Sequence, residues 1–66
     1  MTNTELRLRV KELYESGVTM RKIAKQANMQ AQNLNRWLNR NVDVRHATLV
    51  KIFNAVEAIK ASIKRI

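Results

Sequence analysis

The chain of 66 residues contains no proline and a single glycine, Gly17. Hairpins are built on Gly, Asn-Gly and Asp-Gly turns, so a chain this poor in turn signals reads as helices joined by tight caps. At this length it is one domain at most and buries only about 60% of the surface of its unfolded chain. A deep catalytic cavity does not fit that size. Cysteine is absent, which excludes disulfide staples and thiolate metal sites. Stability must come from helix packing, with help from a partner subunit as an open route. No internal repeat, low-complexity tract or linker breaks the chain.

Thr2 and Glu5 have the three-residue spacing of a capping box and predict a first helix over Asn3 to Ser16. Leu6, Val10, Leu13 and Tyr14 recur at helical spacing as its inner face. Gly17 stands where a helix ends in the left-handed conformation that glycine adopts without penalty. Thr19 is a good N-cap for a second, short helix, with Val18 and Ile23 spaced as a hydrophobic staple. Ile23, Ala24 and Ala27 point inward, and Arg21, Lys22 and Lys25 outward. The helix ends near Ala27, before Asn28, a residue that tolerates the left-handed region. A third helix spans about Gln30 to Asn39 on a stripe of Leu34, Trp37 and Leu38, with Asn39 and Asn41 able to end it. A fourth starts near Asp43, a suitable N-cap. It carries the apolar stripe Leu49, Ile52, Phe53, Val56, Ile59, Ile63 and Ile66.

The charge is strongly one-sided: 13 Lys and Arg against 5 Asp and Glu, net +8. Such a surplus points to a polyanion, nucleic acid or an anionic membrane. A hydrophobic fraction of 45% is too high for a disordered basic tail. No apolar run is long enough to span a bilayer. Glu5, Arg7 and Arg9 interrupt the first residues, so these are no secretory signal. A cytoplasmic protein is expected.

The placement of charge is more informative than its sum. From Ser16 to Val42 there is no acidic residue, while Arg21, Lys22, Lys25, Arg36 and Arg40 fall within it. The same stretch holds eight side-chain amides, at positions 26, 28, 30, 32, 33, 35, 39 and 41. Phosphates repel carboxylates and attract Lys and Arg. Asn and Gln match the adenine edge, and Arg matches guanine. An exposed helix selected only for solubility would mix Glu with Lys. Two short helices joined at Asn28 and carrying this face predict a helix-turn-helix over Thr19 to Asn39 that reads the major groove.

The segment Thr19-Met-Arg-Lys-Ile-Ala-Lys-Gln-Ala-Asn-Met-Gln-Ala-Gln-Asn-Leu-Asn-Arg-Trp-Leu-Asn39 resembles the helix-turn-helix of the Cro/CI (XRE-like) repressors of phages and bacteria. Ala24 matches the small residue of that family's second helix. Leu34 and Trp37 match apolar positions of its third, and Thr48-Leu49-Val50-Lys51-Ile52 matches the start of its fourth. The resemblance covers roughly residues 3 to 60. It departs at the turn, where the family usually has Gly and this chain has Asn28, and in having no counterpart of the usual fifth helix. It implies an all-α, four-helix, lambda-repressor-like domain that binds double-stranded DNA at palindromic operators, as a homodimeric repressor acting by occlusion. Carried over by position, Gln32 and Arg36 are implied first for base contacts, then Gln30, Asn33 and Asn35. Ala31 has reach only for a thymine methyl. Thr19, Arg21, Lys22, Asn39, Arg40 and Asn41 are implied as phosphate contacts.

Each of these readings has a plainer rival. Trp37 lies on the Leu34/Leu38 stripe and is expected in the core rather than on a base, as is Tyr14. His46, the only histidine, falls in the first turn of the fourth helix, with no second ligand to make a metal site. Lys22 and Lys25 are either phosphate clamps or solvated surface; Asn33 and Asn35 either read bases or face water. The stripe of Val56, Ile59, Ile63 and Ile66 either folds back as core or pairs with a second subunit. The dimer is the expectation, since two-fold symmetry matches palindromic DNA. No phosphate loop, metal cluster or activated nucleophile indicates an enzyme. No cofactor or small-molecule ligand is expected. A membrane-active peptide would need one unbroken amphipathic helix, which Gly17 and Asn28 interrupt. A protein-interaction module on the same scaffold, such as an antitoxin or inhibitor, is the alternative function; it gives no reason to exclude acids from one face.

Overall fold

The computed structural model describes residues 2–63, and in it the caps divide the chain where their chemistry dictates. Four helices follow one another: α1 (Asn3–Glu15), α2 (Met20–Gln26), α3 (Ala31–Asn39) and α4 (His46–Ile63). Among the described residues there is no strand. The hydroxyl oxygen of Thr2 accepts from the Glu5 N–H at 3.1 Å, and that of Thr19 from the Lys22 N–H at 3.1 Å. Each satisfies an N–H that has no partner inside its helix.

The ends of α1 and α2 share one construction. Gly17 has φ +106° and Asn28 φ +56°. After α1, the N–H of Gly17 donates to Tyr14 O and that of Val18 to Leu13 O, at 3.2 and 3.1 Å. After α2, the N–H of Asn28 donates to Lys25 O and that of Met29 to Ala24 O, at 3.1 and 2.9 Å. Both are Schellman motifs, in which a left-handed residue turns the chain back on the last helical carbonyls. Val18 and Met29, the residues just past each turn, pack against the core. The second turn sets α3 against α2 after only four residues.

The core gathers Leu6, Val10 and Leu13 of α1, Ile23 and Ala24 of α2, Leu34, Trp37 and Leu38 of α3, and Leu49, Ile52, Val56 and Ile59 of α4. Burying each of the larger aliphatic side chains contributes roughly 1.5–3 kcal/mol. Trp37 is 1% exposed, as its position on the α3 stripe predicts.

Three expectations are corrected. Tyr14 is not core but 55% exposed. It continues the four-residue row of Leu6 and Val10 in the last turn of α1, so helical spacing alone does not set its burial. Asp43 does not cap α4, which begins three residues later; the N–H groups of Thr48 and Leu49 both donate to Arg45 O at 3.0 Å. Val56 and Ile59, expected at a dimer interface, are 0% and 4% exposed within the single chain. They close over α1 and α2 because the α4 stripe folds back as core, and so are unavailable to a second subunit. Ile63 is 48% exposed, and Ile66 lies outside the described residues.

Asp43 is engaged elsewhere. Arg7 lies beside Leu6 and Val10 on α1 and is itself buried. Its Nε donates to Trp37 O at 2.7 Å and its Nη2 to Asp43 Oδ1 at 2.8 Å. Its guanidinium carbon stands 5.3 Å from the centre of the Trp37 ring, within cation–π range. On the same tryptophan, Nε1 donates to Asn3 Oδ1 at 2.8 Å, and that oxygen also accepts from the Val44 N–H at 3.1 Å. The network ties α1 to the end of α3 and to the segment leading into α4. Among the described residues no buried side-chain polar atom is left without a partner.

Candidate nucleic-acid interface

With Leu34, Trp37 and Leu38 facing the core, the 100° step of the helix turns Gln32, Arg36 and Asn39 directly outward. Asn33 and Asn35 lie at the two edges of that face. All five are exposed. Gln32, Asn35 and Arg36 share one concavity with Arg40, the residue that ends α3. The backbone then passes through Asn41 at φ +55°, which keeps Asn41 exposed beside Arg40.

The other candidates flank this face from α2 and the turn. Arg21, Lys25, Asn28 and Gln30 line a second concavity between α2 and α3. Gln30 precedes α3 as its N-cap residue but makes no side-chain capping bond, so its amide is available to an outside partner. Thr19 accepts a capping bond through its oxygen and keeps its O–H to donate. Lys22, one turn away on α2, is exposed. Every residue expected to contact bases or phosphates is therefore on the surface.

One hydrogen bond restricts what the outward face of α3 can offer. Asn39 Nδ2 donates to Asn35 Oδ1 at 2.8 Å. A side-chain amide meets adenine through both its oxygen and its nitrogen, and the oxygen of Asn35 is already engaged. Asn35 presents its N–H donors, and Asn39 its carbonyl, unless the pair separates. Gln32 and Arg36 carry no such internal bond.

Electrostatics divides the molecule. Among the described residues the ion pairs are Arg7–Asp43 and Arg9–Glu57, both anchored on α1. Among the described residues Arg21, Lys22, Lys25, Arg36 and Arg40 form no ion pair. Their charges lie exposed on α2 and at the outer side and end of α3, while Glu15 of α1 reaches the border of this face in a concavity shared with Asn35 and Asn39.

Sequence reasoning missed the Arg7 network. Its only local trace is a cation on the inner face of α1, next to Leu6; its partners lie 30 and 36 residues away. It also missed Lys51, which the fold brings beside Asn33 and Arg36 across the α3–α4 boundary. No group of three or more metal-ligating side chains is found among the described residues. No described helix is long and apolar enough to cross a membrane. Comparison with models of known protein families, with curated proteins and with solved structures finds no match for this chain.

Proposed function

We propose that the chain is a helix-turn-helix protein that binds double-stranded DNA sequence-specifically, with α3 in the major groove. The observation that carries this reading is the outward face of α3. It presents Gln32 and Arg36, which make no side-chain hydrogen bond among the described residues, flanked by cations that form no ion pair there. Arg36 offers a planar fork to guanine and Gln32 a donor and acceptor to adenine. Arg21, Lys22, Arg40 and Asn41 border the face where phosphates run, with the Thr19 hydroxyl and the one Asn39 amide hydrogen not given to Asn35 as neutral donors. Such contacts position the protein and release counterions without specifying sequence.

A regulator of this kind acts by occupying an operator and excluding polymerase, in the cytoplasm of the cell that carries it. Reading a palindrome requires two copies with their α3 helices about 34 Å apart, one turn of the duplex. With Val56 and Ile59 inside the core, that pairing rests on DNA spacing or on the exposed Ile63 rather than on the stripe as a whole.

Selection of bound fragments from a random duplex library, followed by titration of the recovered site, tests the reading. Arg36→Ala is expected to relax preference at one base position, with about 1–3 kcal/mol of discrimination lost. Lys22→Ala is expected to weaken all sequences alike and to reduce the salt slope by about one. Unchanged affinity and unchanged preference in both variants, or no duplex binding at low salt, overturns it.

A further inference from the structure

On its α4 side the reading face of α3 is bordered by a cleft of about 360 Å3. Met29, Trp37, Val42 and Val44 give it an apolar lining, and Arg36 and Lys51 stand at its edge. Val42 is 46% exposed, an aliphatic side chain held at the surface beside two cations. DNA has use for the cations. It has little for the lining, because its one aliphatic group in the major groove is the thymine methyl. The volume falls within the range of sites that take organic side groups. A second copy of the chain is a poorer occupant: it carries a net charge of +8, and of its five acids Asp43 and Glu57 are already paired with Arg7 and Arg9.

We propose that this cleft receives a segment of a partner protein in which carboxylates flank a Leu, Ile, Met or Phe anchor. The apolar side chain fills the space against Val42 and Val44, and the carboxylates pair with Arg36 and Lys51. Arg36 belongs to both surfaces, so the segment and duplex DNA exclude one another; this consequence rests on the DNA reading above. The acidic partner is thus a release signal for the operator.

The full chain and its Val42→Ser variant are each used to select from a library of short random peptides displayed on phage. Val42 is exposed, and a helical circular dichroism spectrum verifies that the variant folds. Wild type is expected to enrich peptides with Asp or Glu around one large apolar residue. Trp37, the only tryptophan, is already buried, so binding of a synthetic copy is followed by the anisotropy of a fluorophore on the peptide. The peptide should displace labelled duplex. Val42→Ser should weaken the peptide about tenfold, as loss of a buried anchor does, and leave the duplex unaffected. Recovery of no peptide, or of peptides that bind Val42→Ser as well as wild type, overturns the cleft's assignment. So does equal weakening of duplex and peptide in the variant, which would assign the lining to nucleic acid. Simultaneous binding of both ligands overturns the exclusion. A chain that takes the peptide in the cleft and binds no duplex keeps the occupant and overturns the DNA reading instead.

Discussion

Arg7 shows how one side chain ties α1 to the end of α3. The two members of its ion pair differ in exposure, and that difference makes the energetics testable. The Asp43 side chain is 72% exposed, whereas that of Arg7 is 9% exposed. Removing Arg7 leaves a carboxylate that water can hydrate, together with a Trp37 carbonyl stripped of its donor. Removing Asp43 leaves a nearly buried guanidinium without its counter-charge. Arg7→Met, which keeps an unbranched side chain against Trp37, is expected to destabilise the fold by about 1–3 kcal/mol through the lost bond to the carbonyl. Asp43→Ala is expected to fall in the same range, since a cation with fewer partners stays buried. Combining the two should cost no more than Arg7→Met alone, because the exposed carboxylate has little left to stabilise. Urea unfolding of the four proteins measures the coupling. Strict additivity would mean that the 2.8 Å contact contributes nothing specific.

The turns that separate the helices respond to substitution for reasons of backbone geometry. At Gly17 an added Cβ would meet no atom within 4 Å, yet φ is +106°. The strain of Gly17→Ala is therefore wholly conformational, and a loss of about 1 kcal/mol or somewhat more is expected in the unfolding free energy measured in urea. Asn28 occupies the milder left-handed well at φ +56°. Asn28→Gly should change stability by only a few tenths of a kcal/mol, while Asn28→Ala should cost about 1 kcal/mol. These caps were legible in the sequence because each depends on neighbours: Thr2 with Glu5, Thr19 with the N–H three residues on, Gly17 and Asn28 with the carbonyls just behind them. The outward set of α3 was legible for the same reason, since Leu34, Trp37 and Leu38 fix its rotation. What the sequence concealed is long-range and polar. Nothing near Asp43 distinguishes a helix cap from a partner for Arg7. Tyr14 satisfies helical spacing as well as Leu13 does, and only the position of the other helices leaves it outside. Lys51 comes to line a concavity with Asn33 and Arg36 of α3 through the packing of α4 on the body, not through any pattern around residue 51.

How far α4 belongs to one chain decides whether the proposed DNA-binding unit is one chain or two. The long apolar stripe is compatible with a dimer seam or with a core, and burial assigns most of it to the core. A chain of 66 residues has roughly 3–10 kcal/mol of net stability. Ile59, 4% exposed, should then matter greatly: Ile59→Ala is expected to remove about 2–5 kcal/mol. Because Ile59 packs against its own chain, the variant's unfolding midpoint should shift by the same amount at every protein concentration. Ile63 is 48% exposed and gives the opposite signature. Ile63→Ala should leave the stability of the isolated chain within about 0.5 kcal/mol of wild type. If two copies meet there on DNA, it should instead reduce the cooperativity of binding to paired half-sites, with single half-site affinity unchanged. Unfolding across a hundredfold range of concentration, set beside titrations of single and paired half-sites, separates the two. A wild-type midpoint that climbs with concentration, and a deficit in Ile59→Ala that shrinks on dilution, would move Ile59 from the core to a subunit interface.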